Sequence, residues 1–232
     1  MPDWRLQIDQ RFSGAANMAA DLANFQDLEK SDGLPILRIY SWSAPCISLG
    51  YSQKIEKEID LAKAKALGWE VVVRPTGGGI VFHNEAEVTY SLNIALDNPL
   101  LPPGLIPAYK KISAALIKAL AYLGVDAEVA QVAARNESSL CFSFPAKYEV
   151  VARGRKIIGS AQKRGRRALL QQGSIFVRPT SQADLAILKR PAAITAISLE
   201  EILQKELPFA SLSAALIHGF GQELGVNFQP AA

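Results

Sequence analysis

The chain has 232 residues, of which 49% are hydrophobic and 20% are charged, and its formal net charge is +3. This composition is that of a globular protein and excludes global disorder, and so small a charge does not by itself indicate nucleic-acid binding. The length lies within the range of one large domain, and no break in composition divides it. We therefore predict a single domain over 1–232.

The two cysteines, Cys46 and Cys141, lie far apart in the chain. They form neither a CxxC metal pair nor the framework of a disulfide-rich secreted domain. The N-terminal stretch MPDWRLQIDQRF carries mixed charge without the apolar core of a secretion signal, and no apolar run reaches membrane-spanning length. These features predict an unexported protein of the reducing cytoplasm, with no membrane partner and no bound metal.

Periodic segments follow one another through the first half of the chain. AANMAADLANFQDLEK has apolar residues at helical spacing, and a helix there would end before Gly33 and Pro35. ILRIYSW and PCISLG predict two strands, and IEKEIDLAKAKALGWE predicts one helix that stops at Gly68. Strands are also predicted on both sides of the triple glycine in VVVRPTGGGIVFHNEAEVTYSLNIAL.

The second half mixes a hairpin with helices. LIPAYKKISAALIKALAYLG predicts the longest helix, ending at Gly124 and lying on a sheet with one face exposed. KYEVVARGRKIIGSAQKR predicts a hairpin that turns at Arg153 and Gly154, and LLQQGSIFV predicts a further strand. LEEILQKEL and LSAALIHGFGQELG predict two last helices. This order favours an α+β fold with a largely antiparallel sheet over a doubly wound one.

Three consecutive glycines, Gly77, Gly78 and Gly79, stand between predicted strands. Glycine is needed where the backbone takes a positive φ or where another group approaches the main chain closely. The sequence around them is neither a P-loop nor a GxGxxG motif. Two interpretations remain open: a turn or bulge between strands, or a loop whose N–H groups hold an anion or an acyl carbonyl.

Four segments in order resemble the lipoate and octanoate protein-transferase family, which is related in fold to biotin protein ligases: LRIYSWSAPCISLGYSQ, RPTGGGIVFH, EVTYSLNIA and KYEVVARGRKIIGSAQKR. The resemblance runs from Asn17 to Val177. It implies a mixed, mainly antiparallel sheet flanked by helices, the catalytic domain that biotin and lipoate protein ligases share with class II aminoacyl-tRNA synthetases. It also implies attachment of octanoate or lipoate to one lysine of a lipoyl carrier domain, from an acyl-carrier thioester or through an acyl-adenylate.

The resemblance implies a set of pocket residues. Arg74 and the loop of residues 76–79 would line the acyl pocket and, in ligases, the site of the adenylate phosphate. The acyl chain would then pass over the glycines, in the space that larger side chains would fill. His83 closes the motif, although a structural histidine is equally expected there. Three small residues of GRKIIGSAQ would leave room for the same pocket. The implied substrate-binding set is Arg74, Thr76, Gly77, Gly78, Gly79, His83, Gly159, Ser160 and Ala161.

Two further positions carry the implied catalysis. Lys156 matches the family lysine. Its ammonium, facing an acyl carbonyl, would stabilise the oxyanion that forms when that carbonyl is attacked. The spacing alone, without the resemblance, favours a solvated lysine on the hairpin. Cys141 lies in SSLCFSFPAKYEV, which resembles the CF…P…YE segment of cysteine-dependent octanoyltransferases, where the thiol carries the acyl group. Lys147 and Lys156, the cations nearest to it in sequence, would favour its thiolate form if they also lie near it in space. A lone cysteine is more often a small buried hydrophobe, which we predict for Cys46.

Two alternatives to the thioester transferase remain. One is an ATP-dependent lipoate ligase, which would need ATP and Mg²⁺ where the transferase needs no cofactor, and in which Cys141 is structural. Gly79 and Gln172 favour the ligase, because family transferases often carry a larger residue at the first position and usually a histidine at the second. The few residues after Val177 argue against a self-sufficient ligase of the longer kind, but they leave open a ligase whose accessory domain is another chain. The other alternative is a silent protein that only binds lipoyl domains or acyl groups.

A basic run extends from Arg153 to Arg167, with seven basic residues and no acidic one. Acyl carrier proteins and lipoyl domains tend to be acidic, so this run would steer both toward the pocket. The expected partners are an acyl carrier protein as donor and, as acceptor, the glycine-cleavage H protein or a lipoyl domain of a 2-oxoacid dehydrogenase. A solvated hairpin edge explains the run equally well. Without a helix-turn-helix or interleaved aromatic residues, we predict no nucleic-acid partner.

Overall fold

The structure of the chain is a computed structural model that describes residues 1–131, 140–143 and 148–230. The strands are β1 (Asp3–Phe12), β2 (Ile36–Trp42), β3 (Cys46–Leu49), β4 (Glu70–Val73), β5 (Val81–His83), β6 (Val88–Ala95), β7 (Glu128–Val129), β8 (Val150–Ala152), β9 (Arg155–Arg164), β10 (Ala168–Ile175) and β11 (Asn227–Pro230). The helices are α1 (Gly14–Lys30), α2 (Ile55–Glu58), α3 (Leu61–Ala66), α4 (Leu105–Tyr122), α5 (Gln182–Leu185), α6 (Leu199–Leu203) and α7 (Phe209–Leu224). In the described part of the chain, no helix has the length and apolar character that crossing a bilayer requires.

One large sheet carries the fold, with the strand order β11-β1-β2-β6-β10-β9-β8-β7. The pairs of β1 with β11 and β2 are parallel, and every pair from β2 through β6, β10, β9 and β8 to β7 is antiparallel. A second sheet has the order β4-β3-β5. The predicted α+β fold with a mixed, mainly antiparallel sheet flanked by helices is confirmed.

The main hydrophobic core lies between the large sheet and the helices α4 and α7. Leu37 and Ile39 of β2 face it, together with Leu116 of α4 and Phe220 of α7. The two helices pack closely because Gly219 of α7 has no side chain, and a Cβ there would overlap the α4 backbone. This face of the sheet therefore has the apolar character expected of a core, and it holds β9 and β10 in place for the site on the other side.

The opposite face of the sheet carries a buried polar network beneath α1. The Arg38 guanidinium of β2 donates from Nη1 to Asp21 Oδ1 at 2.8 Å, and both side chains are fully buried. Asp21 also accepts hydrogen bonds from Tyr40, Ser91 and Gln172, at 2.8, 2.6 and 2.6 Å. Asp21 thus joins α1 to strands β2, β6 and β10 at one point.

Asp21→Ala is expected to lower the free energy of unfolding by about 3–5 kcal/mol, because it leaves the Arg38 charge buried without this partner. Chemical denaturation followed by circular dichroism measures the change. Asp27→Ala, on the exposed side of the same helix, is the control and should change the free energy by at most about 0.5 kcal/mol. Equal effects of the two substitutions would show that the network does not stabilise the fold.

Most of the predicted elements are present at the expected places, and one predicted helix is divided. The segment predicted as one helix is two short helices, α2 and α3, because the chain breaks at Ile59 and Asp60, whose carboxylate caps α3. The terminal strands β1 and β11 were not predicted. β11 has only 4 residues and ends in Pro230, so it carries little pattern. β1 does alternate, with Trp4, Leu6 and Ile8 between polar residues, so a sequence signal for this strand was present.

Candidate active site

A cavity of about 350 Å³ lies on the α1 side of the large sheet, where β2, β3, β5, β9 and β10 meet. Six of the predicted site residues line it: Arg74, His83, Cys141, Gly159, Ser160 and Ala161. The sequence motifs therefore converge on one cavity in space. Its wall also includes residues that sequence reasoning did not assign to the site: Met18, Tyr40, Trp42, Ser48, Val81, Thr89, Gln172, Gly173 and Ser174.

The triple glycine forms a loop around the buried guanidinium of Arg74. Nη2 of Arg74 donates to the carbonyls of Gly77 and Gly79 at 2.6 and 2.7 Å, and Nη1 donates to the carbonyl of Ser48 at 3.0 Å. Gly78 takes a φ of +87°, which disfavours any side chain, and a Cβ there would also crowd Arg74. In this structure the glycines let the backbone close over an arginine.

This arrangement differs from the predicted one, in which the acyl chain passes over the glycines. Among the described residues that line the cavity, Arg74 is present and the three glycines are not. Thr76, also predicted for the pocket, is fully buried behind the wall and donates to Gln172 Oε1 at 2.7 Å. Gln172 in turn donates to Asp21. The loop is thereby tied to the network beneath α1, and it positions Arg74.

His83 forms a wall of the cavity, stacked on Trp42 with ring centroids 4.0 Å apart. Its Nε2 lies 2.8 Å from Ser48 Oγ and its Nδ1 lies 3.4 Å from Ser174 Oγ. Burial, and then the nearby Arg74 charge, hold the pKa of His83 well below its ordinary value. The imidazole is therefore neutral at physiological pH, and it is suited to shaping the cavity rather than to taking up a proton.

A buried carboxyl group lies beyond this wall. Ser174 Oγ donates to Glu87 Oε1 at 2.5 Å, and burial raises the pKa of Glu87 to about 8. Glu87 is fully buried, and sequence reasoning did not single it out. Because burial favours the protonated form, this side chain adds little negative charge to the cavity at neutral pH.

Cys141 and Lys156 meet at the rim of the cavity. Lys156 Nζ lies 3.2 Å from Cys141 Sγ, and the ammonium donates to the Cys141 carbonyl at 2.6 Å and to Glu149 Oε1 at 2.5 Å. Burial lowers the pKa of Lys156, but Cys141 and Glu149 raise it further, so the net pKa lies above its ordinary value. A buried cation is thus held in contact with a half-buried thiol.

The hairpin of β8 and β9 brings Lys156 to this position. Its two turn residues, Arg153 and Gly154, both have positive φ, at 51° and 70°, as a two-residue type I′ turn requires. Alternation along β9 then points Arg155 outward, where it pairs with Glu201, and Lys156 inward. The predicted hairpin is confirmed, and the interpretation of Lys156 as a solvated surface lysine is wrong.

The other cysteine has no place in the site. Cys46 is fully buried in β3, and desolvation raises the pKa of its thiol far above the ordinary value. Its predicted place in the core is confirmed. Lys147, the second cation predicted to favour a Cys141 thiolate, lies outside the described residues. Among the residues that are described, no three His, Cys, Asp or Glu side chains are grouped as metal ligands.

The chain matches the family model described as the lipoyl protein ligase A/B catalytic domain over residues 13–221. It belongs to that family. The present chain is 37% identical to an octanoyltransferase LipM of Carboxydothermus hydrogenoformans. The match covers 98% of the present chain and 89% of the LipM chain. The resemblance predicted from the four segments is therefore confirmed, and it extends well beyond them.

Solved structures of the family share its fold. The bipartite lipoate protein ligase of Thermoplasma acidophilum, described with its E2 lipoyl domain, superposes with a TM-score of 0.80 at 22% identity, over 100% of this chain and 87% of the other. A lipoate-protein ligase A bound with ATP gives a TM-score of 0.79 at 24% identity, over 99% and 88% of the two chains. At these identities the likeness establishes the fold alone.

Because Gly159 has no side chain, the space beside Cys141 and Lys156 stays free. A Cβ at this position would lie 3.1 Å from Cys141 Sγ, 3.2 Å from Lys156 Cε and 3.3 Å from Phe142 Cζ. Gly159→Ala is therefore expected to displace the thiol from the ammonium and to lower acyl transfer by roughly tenfold. Steady-state kinetics measures the loss. Gly154→Ala is unsuitable as the control because of its positive φ, whereas Gly77→Ala meets only Tyr51 at 3.7 Å and should lose less.

The predicted basic run does not form one continuous surface in this family member. Arg155, at one end of β9, pairs with Glu201, and Lys156 is buried in the site. Arg167, beyond the other end, pairs with Asp32. Since a strand of 10 residues spans about 30 Å, the two basic ends lie far apart. Steering of acidic carriers by this run stays a prediction.

Proposed function

We propose that this chain is an octanoyltransferase that moves octanoyl from an acyl carrier protein thioester to a lysine of a lipoyl carrier protein, through a thioester on Cys141. The observation that carries the proposal is the contact between the Cys141 thiol and the Lys156 ammonium, 3.2 Å apart at the rim of a cavity. Relatives named octanoyltransferase LipM, one of them 37% identical over 98% of this chain, support the same activity.

In the first half-reaction, Cys141 loses its proton and the thiolate attacks the carbonyl carbon of the octanoyl thioester. The oxyanion that forms lies beside Lys156, whose ammonium stabilises it. The carbon–sulfur bond to the carrier then breaks, and the carrier leaves as a thiolate that takes up a proton. Octanoyl is now joined to Cys141 Sγ.

In the second half-reaction, the neutral amine of the acceptor lysine attacks the same carbonyl carbon. The new carbon–nitrogen bond forms, the amine loses a proton, and the bond to Cys141 Sγ breaks. The departing thiolate is stabilised by Lys156 and is protonated to restore the resting thiol. Both steps develop negative charge next to the buried ammonium of Lys156, which stabilises it.

The cavity suits an aliphatic chain. Met18, Trp42 and Val81 supply apolar and aromatic surface in its wall, and Gly159 and Gly173 leave it open. The stacked and neutral His83 continues this wall without adding charge. An unbranched acyl chain buried there would gain about 0.8 kcal/mol for each methylene removed from water.

The ligase alternative, which Gly79 and Gln172 favour in the sequence, would need the glycine loop to accept a nucleotide phosphate. Here the two Nη2 hydrogen bonds of Arg74 go to glycine carbonyls of that loop. In this arrangement the loop itself engages these donors of Arg74. The proposed reaction uses neither ATP nor Mg²⁺. A nucleophilic free thiol also needs a reducing compartment, which supports a cytoplasmic location.

The proposal is tested by incubating the protein with octanoyl acyl carrier protein and an apo lipoyl acceptor, strictly without ATP. We expect the intact mass of the acceptor to increase by one octanoyl group, and we expect glycine-cleavage H protein and isolated lipoyl domains to differ in rate. A second tube contains free lipoate with MgATP. A mass increase of the acceptor in that tube alone would establish the ligase. Binding of the acceptor without an acylated product in either tube would indicate a silent binding protein.

A further inference from the structure

The acyl site contains a third ionisable side chain, Glu149, which precedes β8. Its carboxylate accepts a hydrogen bond from Lys156 Nζ at 2.5 Å, on the far side of the ammonium from Cys141. Only 6% of Glu149 and 2% of Lys156 are exposed. The pair is therefore a buried ion pair in contact with the candidate nucleophile, and the proposed mechanism gives Glu149 no task.

A buried ammonium needs a negative partner, because desolvation favours the neutral amine. In the free enzyme two groups support the charge of Lys156: Cys141, when it is a thiolate, and Glu149. Once octanoyl is bound to Cys141, the sulfur is a neutral thioester and can no longer contribute negative charge. The carboxylate then has to support the ammonium alone.

We propose that Glu149 is a positioning residue that keeps Lys156 charged and in place while Cys141 carries the acyl group. This role rests on the proposed thioester mechanism and deepens it. It assigns Glu149 chiefly to the second half-reaction, in which the ammonium must meet the oxyanion and the departing Cys141 thiolate. In the first half-reaction, the thiolate itself supports the charge of Lys156 until it attacks.

Other ionisable groups around the pair act less directly. Tyr109 of α4 interacts with Cys141 and Glu149, and desolvation raises its pKa well above the ordinary value, so it stays neutral. Arg74 is a cation that interacts with Cys141 from the other side of the cavity. Neither supplies a negative charge to Lys156 at neutral pH. Among the described residues, the carboxylate that contacts Lys156 is that of Glu149.

The test separates the two half-reactions in the Glu149→Gln variant. Glutamine keeps the shape and an acceptor oxygen but not the charge. We expect acylation of Cys141 by octanoyl acyl carrier protein to change little, and transfer from purified acyl-enzyme to the acceptor to slow by roughly tenfold at pH 8. Loss of the carboxylate lowers the pKa of Lys156, so the ratio of wild-type to variant rates should rise with pH and approach one at lower pH.

Two further variants complete the test. Glu149→Asp restores the charge and should recover part of the transfer rate, whereas Glu85→Gln, an exposed acid on another loop, should behave as wild type. Equal slowing of both half-reactions, independent of pH, would show a merely structural role and overturn the proposal, as would no slowing at all. Absence of acylation in the wild-type protein would instead overturn the proposed function, so the two failures are distinguishable.

Discussion

Cys141→Ser is expected to lose about 10⁴-fold or more of the octanoyl transfer activity, because the serine hydroxyl is a poorer nucleophile and its ester a poorer acyl donor than the thiol and thioester. The rate of acceptor octanoylation, followed by intact mass in the absence of ATP, measures the loss.

The matched control for this substitution is Cys46→Ala. Cys46 is fully buried in β3 and does not itself line the cavity, although it packs behind the wall residues Met18, Tyr40 and Trp42. Its replacement should therefore leave transfer near the wild-type rate and mainly lower the stability. Activity in Cys141→Ser comparable to that of the control would rule out the thioester mechanism. If that activity also required ATP, the chain would be a ligase with a structural Cys141.

Lys156→Met is expected to lower octanoyl transfer by about 10²–10³-fold, because it removes the cation at which both half-reactions develop negative charge. It should also lower the free energy of unfolding by about 3–5 kcal/mol, since Glu149 loses its buried counter-ion. Transfer kinetics and denaturant unfolding measure the two effects.

The double variant Lys156→Met with Glu149→Gln separates the two effects. With both charges removed, most of the lost stability should return, whereas the activity should stay low. If activity returned together with stability, Lys156 would serve the fold rather than the reaction. If Lys156→Met alone kept full activity, another group would have to stabilise the oxyanion.

The sequence predicted the parts of the fold that depend on local pattern. The hairpin at Arg153 and Gly154 follows from turn chemistry, whereas the place of Lys156 in the site was implied by the family resemblance and not by its spacing. The helices α1, α4 and α7 follow from apolar spacing. The strand β1 was missed although Trp4, Leu6 and Ile8 alternate with polar residues, a pattern typical of a strand near the sheet edge.

The sequence predicted which motifs form the site, but it did not predict most of the contacts between their residues. That Cys141, His83 and Gly159 share one cavity was expected from the family resemblance, and the structure places them there. Glu149 was missed, although it is the one acidic residue between Cys141 and Lys156 in the sequence. The family segment CF…P…YE includes it and was the available signal, but its contact with Lys156 depends on strand register, which a bulge between Val150 and Val151 shifts.

The buried charged residues beneath α1 also could not be predicted from the sequence. Asp21 lies on the face of α1 that a helical pattern would assign to the core, and a charged residue there argues against burial. It is buried because Arg38, on the next element of the chain, reaches it from β2. The same network reaches Gln172 and Thr76, so the position of the glycine loop depends on tertiary partners.

The central claim is that octanoyl rests on Cys141 between donor and acceptor. The most direct measurement is the mass of the protein itself after brief mixing with octanoyl acyl carrier protein, without ATP and without acceptor, followed by peptide mapping. We expect one octanoyl group on the peptide that contains Cys141, released by hydroxylamine and transferred when an apo lipoyl domain is added. An unmodified Cys141 in a protein that still octanoylates the acceptor would contradict the account.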